Sequence, residues 1–358
     1  MKKMCKMVLA LVLIFSLSNN MISYAGIVES NSGLSASVKA TLQEQLFLAY
    51  LDAENLGMSQ TDFDKLYIGA PIYSYECVGG SLQEMEILTY PIFCDDEIVF
   101  FGIENTKEGE EFVQLSSGFA EELTDYYISE EEVALVYDDE NSYVVSESGA
   151  EILFSDSVQV DSRDSLEECS REGIAFTELL PTEKIVYTGI KARASYAYLS
   201  IPKVLQDADK ICWAAAVASI GNYLTSQNYT STDIAQMYFR NDVDYNYGLD
   251  VQEAVGALYT YYSVNYYCNG TEPLSDDMIY YNLMEGYPVY AKWTCGNESH
   301  ATVIRGILTD SYMLIMDPNI GFVVVNKSGG TYSFYYSNGA RTFTYTGHGA
   351  RYQYDGQP

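Results

Sequence analysis

The chain has only two histidines, His300 and His348, and none of its seven cysteines is spaced Cys-x-x-Cys, so a metal site of the usual ligand spacing is excluded. Basic residues are also scarce. Nineteen Lys and Arg stand against 50 Asp and Glu, a net charge of −31. That balance excludes a general role in gripping nucleic-acid phosphates or anionic lipid. Proline is sparse, at 8 of 358 residues, while 48% of the chain is hydrophobic. A disordered chain cannot be that apolar, and the length suits two ordinary domains.

Long hydrophobic runs are missing after the first few residues. Lys2, Lys3 and Lys6 precede an apolar run from Met7 to Leu17, and Ser23-Tyr24-Ala25 precedes Gly26. This is the pattern of a secretory signal peptide over residues 1–25, removed after Ala25, because spanning a membrane takes about 20 apolar residues. The rest is expected to be secreted, extracellular, and free of the membrane once the signal is cut. Such a compartment permits disulfides. Cys77 and Cys94 are candidates for a bridge across a hairpin or for plain burial as apolar residues, and Cys268 and Cys295 are a second candidate pair; Cys169 is left over if Cys77 pairs with Cys94.

Charge divides the mature chain. Residues 26–194 carry 8 Lys and Arg against 35 Asp and Glu, whereas residues 195–358 carry 8 against 15 and hold 23 of the 34 tyrosines. Two domains are expected, with Lys191 and Arg193 in an exposed linker cut between Lys191 and Tyr198. In the first, apolar spacing at Val38, Leu42, Leu46 and Tyr50 predicts a helix over 35–56. Alternating runs then predict an antiparallel sheet, and a short helix is expected over 117–127. In the second, a helix from Cys212 to about Ser226 and three more precede a set of strands. Helices first and an antiparallel sheet second is an α+β domain.

The second segment also holds residues that suit thiol chemistry. Cys212 begins a helix, where unpaired N–H groups and the positive end of the dipole favour a thiolate. His300 opens a strand, and Asp317 ends the next, where a carboxylate could orient an imidazole. Gln206, six residues before Cys212, could give a side-chain N–H to an oxyanion beside the Cys212 N–H. The order Gln, Cys, His, Asp makes coincidence hard to accept.

The stretch LSIPKVLQDADKICWAAAVASIGNYL resembles the nucleophile region of papain-clan cysteine peptidases, ESHATVIRGI resembles their histidine strand, and YMLIMDPNIG the strand of the third catalytic residue. The spacings, 88 residues from Cys212 to His300 and 17 from His300 to Asp317, resemble the small bacterial branch of staphopains, avirulence-effector proteases and bacteriocin-leader peptidases. The resemblance covers about residues 196–328. Papain has Asn as its third residue, and both Asp317 and Asn319 are present here; Asp317 is the assignment. Papain's Gly-Ser before Cys-Trp is replaced by Lys210-Ile211, while Trp213 is expected to pack beneath the site and His348 to lie at the surface.

The resemblance implies a papain-like peptidase domain over 195–358 that hydrolyses protein or peptide substrates through Cys212, His300, Asp317 and Gln206, with no metal or organic cofactor. It also implies that residues 26–194 are a prodomain, an intramolecular inhibitor of a zymogen; the competing reading is a permanent accessory domain. A cell-wall amidase or acyl transferase would share the thiol chemistry, and a catalytically silent binding module would not use it.

Overall fold

The computed structural model describes residues 33–106, 112–138, 141–155, 173–187, 195–240, 244–336 and 341–353. The expected signal peptide, Lys191, Arg193 and Cys169 lie outside them. Residues 31–358 form one compact α+β unit.

The first segment opens with helix α1, Ala36–Leu51, whose N-cap Ser35 accepts a hydrogen bond from the Val38 N–H at 3.2 Å. Its sheet comprises β1 (Leu66–Gly69), β2 (Ile72–Val78), β3 (Ser81–Cys94), β4 (Glu97–Asn105) and β5 (Phe112–Ser116). Helix α2 (Ala120–Ile128) leads to β6 (Glu132–Tyr137), β7 (Asn141–Ser146), β8 (Ala150–Ser155) and the short β9 (Thr177–Glu178) and β10 (Pro181–Lys184). The order β10–β1–β3–β4–β5 is antiparallel throughout. One pairing departs from expectation: β2 is antiparallel to β3 on one edge, but on the other it runs parallel to β6, Ser74 opposite Leu135.

The second segment begins with β11 (Tyr196–Tyr198), which pairs with the far end of β14, so part of the stretch expected to be cut is built into a sheet. Helix α3 (Cys212–Thr225) follows, then α4 (Ser231–Tyr238), α5 (Val251–Tyr262), the short β12 (Tyr267–Asn269) and α6 (Asp276–Met284). Every residue of α3 from Trp213 to Asn222 is buried, as expected of a helix apolar all round. A Cβ at Gly221 would lie 2.3 Å from the Tyr262 ring, so only glycine lets α5 approach so closely. The remaining strands, β13 (Val289–Cys295), β14 (Glu298–Leu308), β15 (Tyr312–Asp317), β16 (Gly321–Ser328), β17 (Thr331–Tyr336) and β18 (Arg341–Ala350), are joined neighbour to neighbour, and β18 returns to β13. The result is a closed six-stranded antiparallel barrel filled by Trp293, Ile304, Met313, Ile315, Val323, Phe334 and Phe343, packed beside the helical half.

The two segments meet along β16. One edge of that strand pairs with β15, while the other is shared between β17 and β5, with Val323 opposite Ser116 and Val324 opposite Leu115. A single core then forms beneath α1, where Leu42, Leu46 and Phe100 pack with Leu308, Tyr312, Leu314, Phe322 and Val324 of the barrel strands. Burying those five barrel side chains is worth on the order of 10 kcal/mol, at about 1.5–3 kcal/mol each.

The expected disulfides need correction. Cys94 is a free thiol and Cys77 is disulfide-bonded elsewhere; Cys77 sits opposite Leu82 on β3, whereas Cys94 is at the other end of that strand, opposite Glu97 of β4. Cys268 and Cys295 are both free. Cys268 pairs across to Gly349, which lies level with Tyr290, five residues from Cys295 along β13, or roughly 16 Å, far beyond disulfide reach.

Candidate active site

Cys212 is the first residue of α3 and His300 the third of β14, and the packing of α3 against the barrel brings them together. The N-cap of α3 is Ile211, which offers no side-chain cap, so its first amides are left for other partners. Cys212 is half-buried beneath a cleft of about 450 Å³, lined also by Trp213, Leu249, Tyr290, Lys292, His300 and Asn319. The cleft's lining among the described residues comes wholly from 209–343.

His300 is buried among the barrel aromatics, tilted against Phe334 and edge-on to Phe343 with ring centres 6.3 and 6.2 Å away. Its Nε2 lies 2.8 Å from Asp317 Oδ2, which leaves Nδ1 to face the Cys212 thiol with which the ring is hydrogen-bonded. Asp317 is fully buried, and its Oδ1 accepts from the backbone N–H groups of Asn319 at 2.8 Å and Ile320 at 3.1 Å. Of the two candidates on this turn, it is therefore the Asp317 side chain that meets the imidazole, while Asn319 holds Asp317 through its backbone and lines the cleft.

The electrostatics follow from this geometry. Burial opposes charge on His300, but the Asp317 carboxylate and the Cys212 sulfur more than offset it, and the imidazole pKa is pushed up to about 10. A raised value means that the imidazolium persists through neutral pH and is lost as pH climbs past it. Any activity that needs the imidazolium should therefore hold through pH 7 and fall only on the alkaline side, well above the ordinary histidine value of about 6.5. The stabilisation from this pairing has the same sign, complete below about 6.5 and gone once pH passes the raised value. A pH–rate profile of the full chain checks this; an alkaline limb centred near 6.5 would contradict it.

Gln206 is half-buried outside the cleft lining. Its backbone N–H donates to Pro318 O at 3.0 Å, tying its loop to the residue after Asp317, and its Nε2 donates to Asp209 O at 3.2 Å. Its Oε1 is buried without a partner. Trp213 is fully buried against Tyr238 and Phe239, and its indole N–H donates to Tyr247 O at 2.7 Å, which fixes the loop whose next residues, Gly248 and Leu249, line the cleft. His348, expected at the surface, is instead buried: it lies in β18 between β12 and β13, and its Nδ1 bonds Glu272 O at 2.8 Å. Burial lowers its pKa. Sequence reasoning also missed the polar rim, where Glu298 and Arg341 form an ion pair across the cleft mouth. Nothing short of the β13–β14 and β13–β18 registers places those two residues together.

A larger cavity of about 630 Å³ lies elsewhere, between Leu56, Phe100, α2 and the back of the Asp317 turn, and contains neither Cys212 nor His300. The chemistry belongs to the smaller cleft, because there, among the described residues, a thiol meets an imidazole.

No characterised protein of known function matches the chain at a significant level. Residues 196–337 match the family described as papain-like cysteine protease AvrRpt2, a span that begins at β11 and contains Cys212, His300 and Asp317. The thiol, the buried imidazole and the matched span together make residues 196–337 a papain-like cysteine peptidase domain of the bacterial effector-like branch, a hydrolase acting on peptide bonds.

Proposed function

We propose that the chain is an exported cysteine endopeptidase working through a Cys212–His300–Asp317 triad. The observation that carries this reading is the buried His300, with Asp317 on one nitrogen and the Cys212 sulfur on the other side of the ring. The Cys212 thiolate attacks the scissile carbonyl carbon and forms the C–S bond. His300, as imidazolium, gives its proton to the leaving amine as the C–N bond breaks. A water that has lost its proton to His300 then attacks the thioester, the C–S bond breaks, and the acid product leaves with Cys212 again a thiolate. The Cys212 N–H holds the oxyanion of each tetrahedral intermediate, joined by Gln206 when its Nε2 turns from Asp209 O toward the cleft. Support for Gln206 is the 3.0 Å bond from its backbone to Pro318, which sets its loop beside the Asp317 turn. On this reading Gln206→Ala lowers kcat by roughly 10²–10³ with a smaller change in KM, the usual scale for one lost oxyanion donor. Export rests on the sequence pattern of residues 1–25.

The first segment has two readings, and one observation favours the second. A prodomain that inhibits by blocking the cleft should line it, yet the cleft's lining comes from residues 209–343 among the described residues, and the first segment instead shares a core and a sheet with the barrel. On this reading residues 26–194 are a retained domain rather than a plug. Incubation of the full chain with an unfolded protein under mild reduction, followed by mass spectrometry of the products, tests the activity: new internal N-termini are expected, and an unchanged substrate contradicts it.

A further inference from the structure

The turn that carries Asp317 is held from outside the peptidase domain. Ile320, whose N–H holds Asp317 Oδ1, puts its side chain against Gly118 of the first segment. A Cβ at Gly118 would lie 3.1 Å from the Ile320 Cβ, so that approach is already tight. Two residues on, Phe322 exchanges hydrogen bonds with Ser117: the Ser117 N–H donates to Phe322 O at 3.0 Å, and the Phe322 N–H donates to Ser117 Oγ at 3.2 Å. Between them Gly321 takes φ +83°, with Ser117 Oγ and Lys203 on the side where a Cβ would stand. Leu115 and Ser116 continue the contact as paired strand residues.

We infer that Ser117 and Gly118 are positioning residues for the peptidase reaction, through which the first segment sets the Asp317–Phe322 turn and hence the orientation of the imidazole. The inference rests on the peptidase reading above. The physical case is one of leverage. Asp317 is fixed by two backbone N–H groups from its own turn, and that turn has its far end clamped by a different part of the chain. The Gln206 loop hangs from the same turn through Pro318, so a shift there displaces the imidazole's partner and the oxyanion loop together. Displacements of about 1 Å made far from the reacting atoms can lower rates by roughly 10²-fold. On this view the first segment completes the active centre, although none of its described residues lines the cleft.

The test uses the full chain with Ser117→Ala, Ser117→Thr and Gly118→Val, each assayed for kcat, KM and the alkaline limb of the pH–rate profile, with thermal unfolding in parallel. Ser117→Ala removes one hydrogen bond, and Gly118→Val pushes Ile320. Both are expected to lower kcat, by about 3–10-fold and 10–10²-fold respectively, with KM within about twofold. The alkaline limb should move to lower pH as Asp317 loosens from His300, and Ser117→Thr, which keeps the oxygen, should restore both. A general weakening of the fold would lower the melting temperature without moving the pH limb of the molecules still folded. Folded Ser117→Ala with wild-type kcat and pH limb overturns the inference while leaving the peptidase reading intact. A wild-type chain that hydrolyses nothing overturns both.

Discussion

Replacing Cys212 with Ala is expected to abolish peptide hydrolysis, with kcat falling on the order of 10⁶-fold, the scale seen when the nucleophile of a concerted catalytic group is removed. The argument is geometric. Cys212 is the described cysteine that both lines the cleft and bonds the buried His300. Among the described residues the other free thiols, Cys94, Cys268 and Cys295, lie outside the cleft lining, and burial raises the pKa of Cys94 and Cys268. None of them offers a substitute nucleophile. The variant should fold as the wild type does, because a half-buried thiol exchanged for a methyl at a helix start removes little packing. Substrate digestion followed by mass spectrometry reads the activity, and near-ultraviolet circular dichroism the fold. Residual hydrolysis within tenfold of wild type would mean that the thiol chemistry is wrong.

The second large effect concerns stability. Asp52, just past the end of α1, forms a buried ion pair with Arg305 of β14; neither residue is more than 2% exposed. Tyr198 and Asn55 add hydrogen bonds to the same carboxylate, and Arg305 also donates to Ile201 O at 3.2 Å. Burial pushes the Asp52 pKa up against the attraction of Arg305. Asp52→Ala leaves a buried guanidinium without its counter-charge, which destabilises by about 3–5 kcal/mol. Replacing both partners together, Asp52→Leu with Arg305→Met, removes the stranded charge and should recover most of that loss. Denaturant unfolding of the single and double variants measures the difference. A single variant within about 1 kcal/mol of wild type would show that the pair does not hold the two segments together.

Both effects depend on residues of different visibility in the sequence. Cys212, His300 and Asp317 were legible because each falls where local structure suits its role: a helix start, a strand start and a strand end. The clamp on the Asp317 turn was not legible, since Ser117 and Gly118 look like any loop before a helix and meet Phe322 and Ile320 only through long-range pairing. One signal went unread. YMLIMD and GFVVV are buried at every position, without the alternation of a strand that faces water on one side, and a run of that kind needs cover on both faces. The first segment supplies the second cover. The charge contrast between the two halves reports the outer surface, whereas the contact between them joins the apolar core beneath α1 to a few polar links, Asp52–Arg305, Glu44–Tyr312, Gln114–Tyr335 and Ser117–Phe322. The disulfide pairings were hidden for a similar reason: nearness in sequence does not reveal the registers that set Cys77 of β2 at the opposite end of β3 from Cys94, and Cys268 of β12 level with the opposite end of β13 from Cys295.

The central claim, that a single cleft thiol activated by a buried imidazole does the chemistry, is tested most directly by active-site titration. The full chain is treated with a substoichiometric series of an irreversible thiol-directed peptide inhibitor at neutral pH, residual hydrolysis is followed, and the modified residue is located by peptide mapping. Activity should reach zero at one equivalent per chain with the label on Cys212, and His300→Ala should label far more slowly. Full activity after one equivalent, or label spread over Cys94, Cys268 and Cys295 with Cys212 unmodified, would contradict the account.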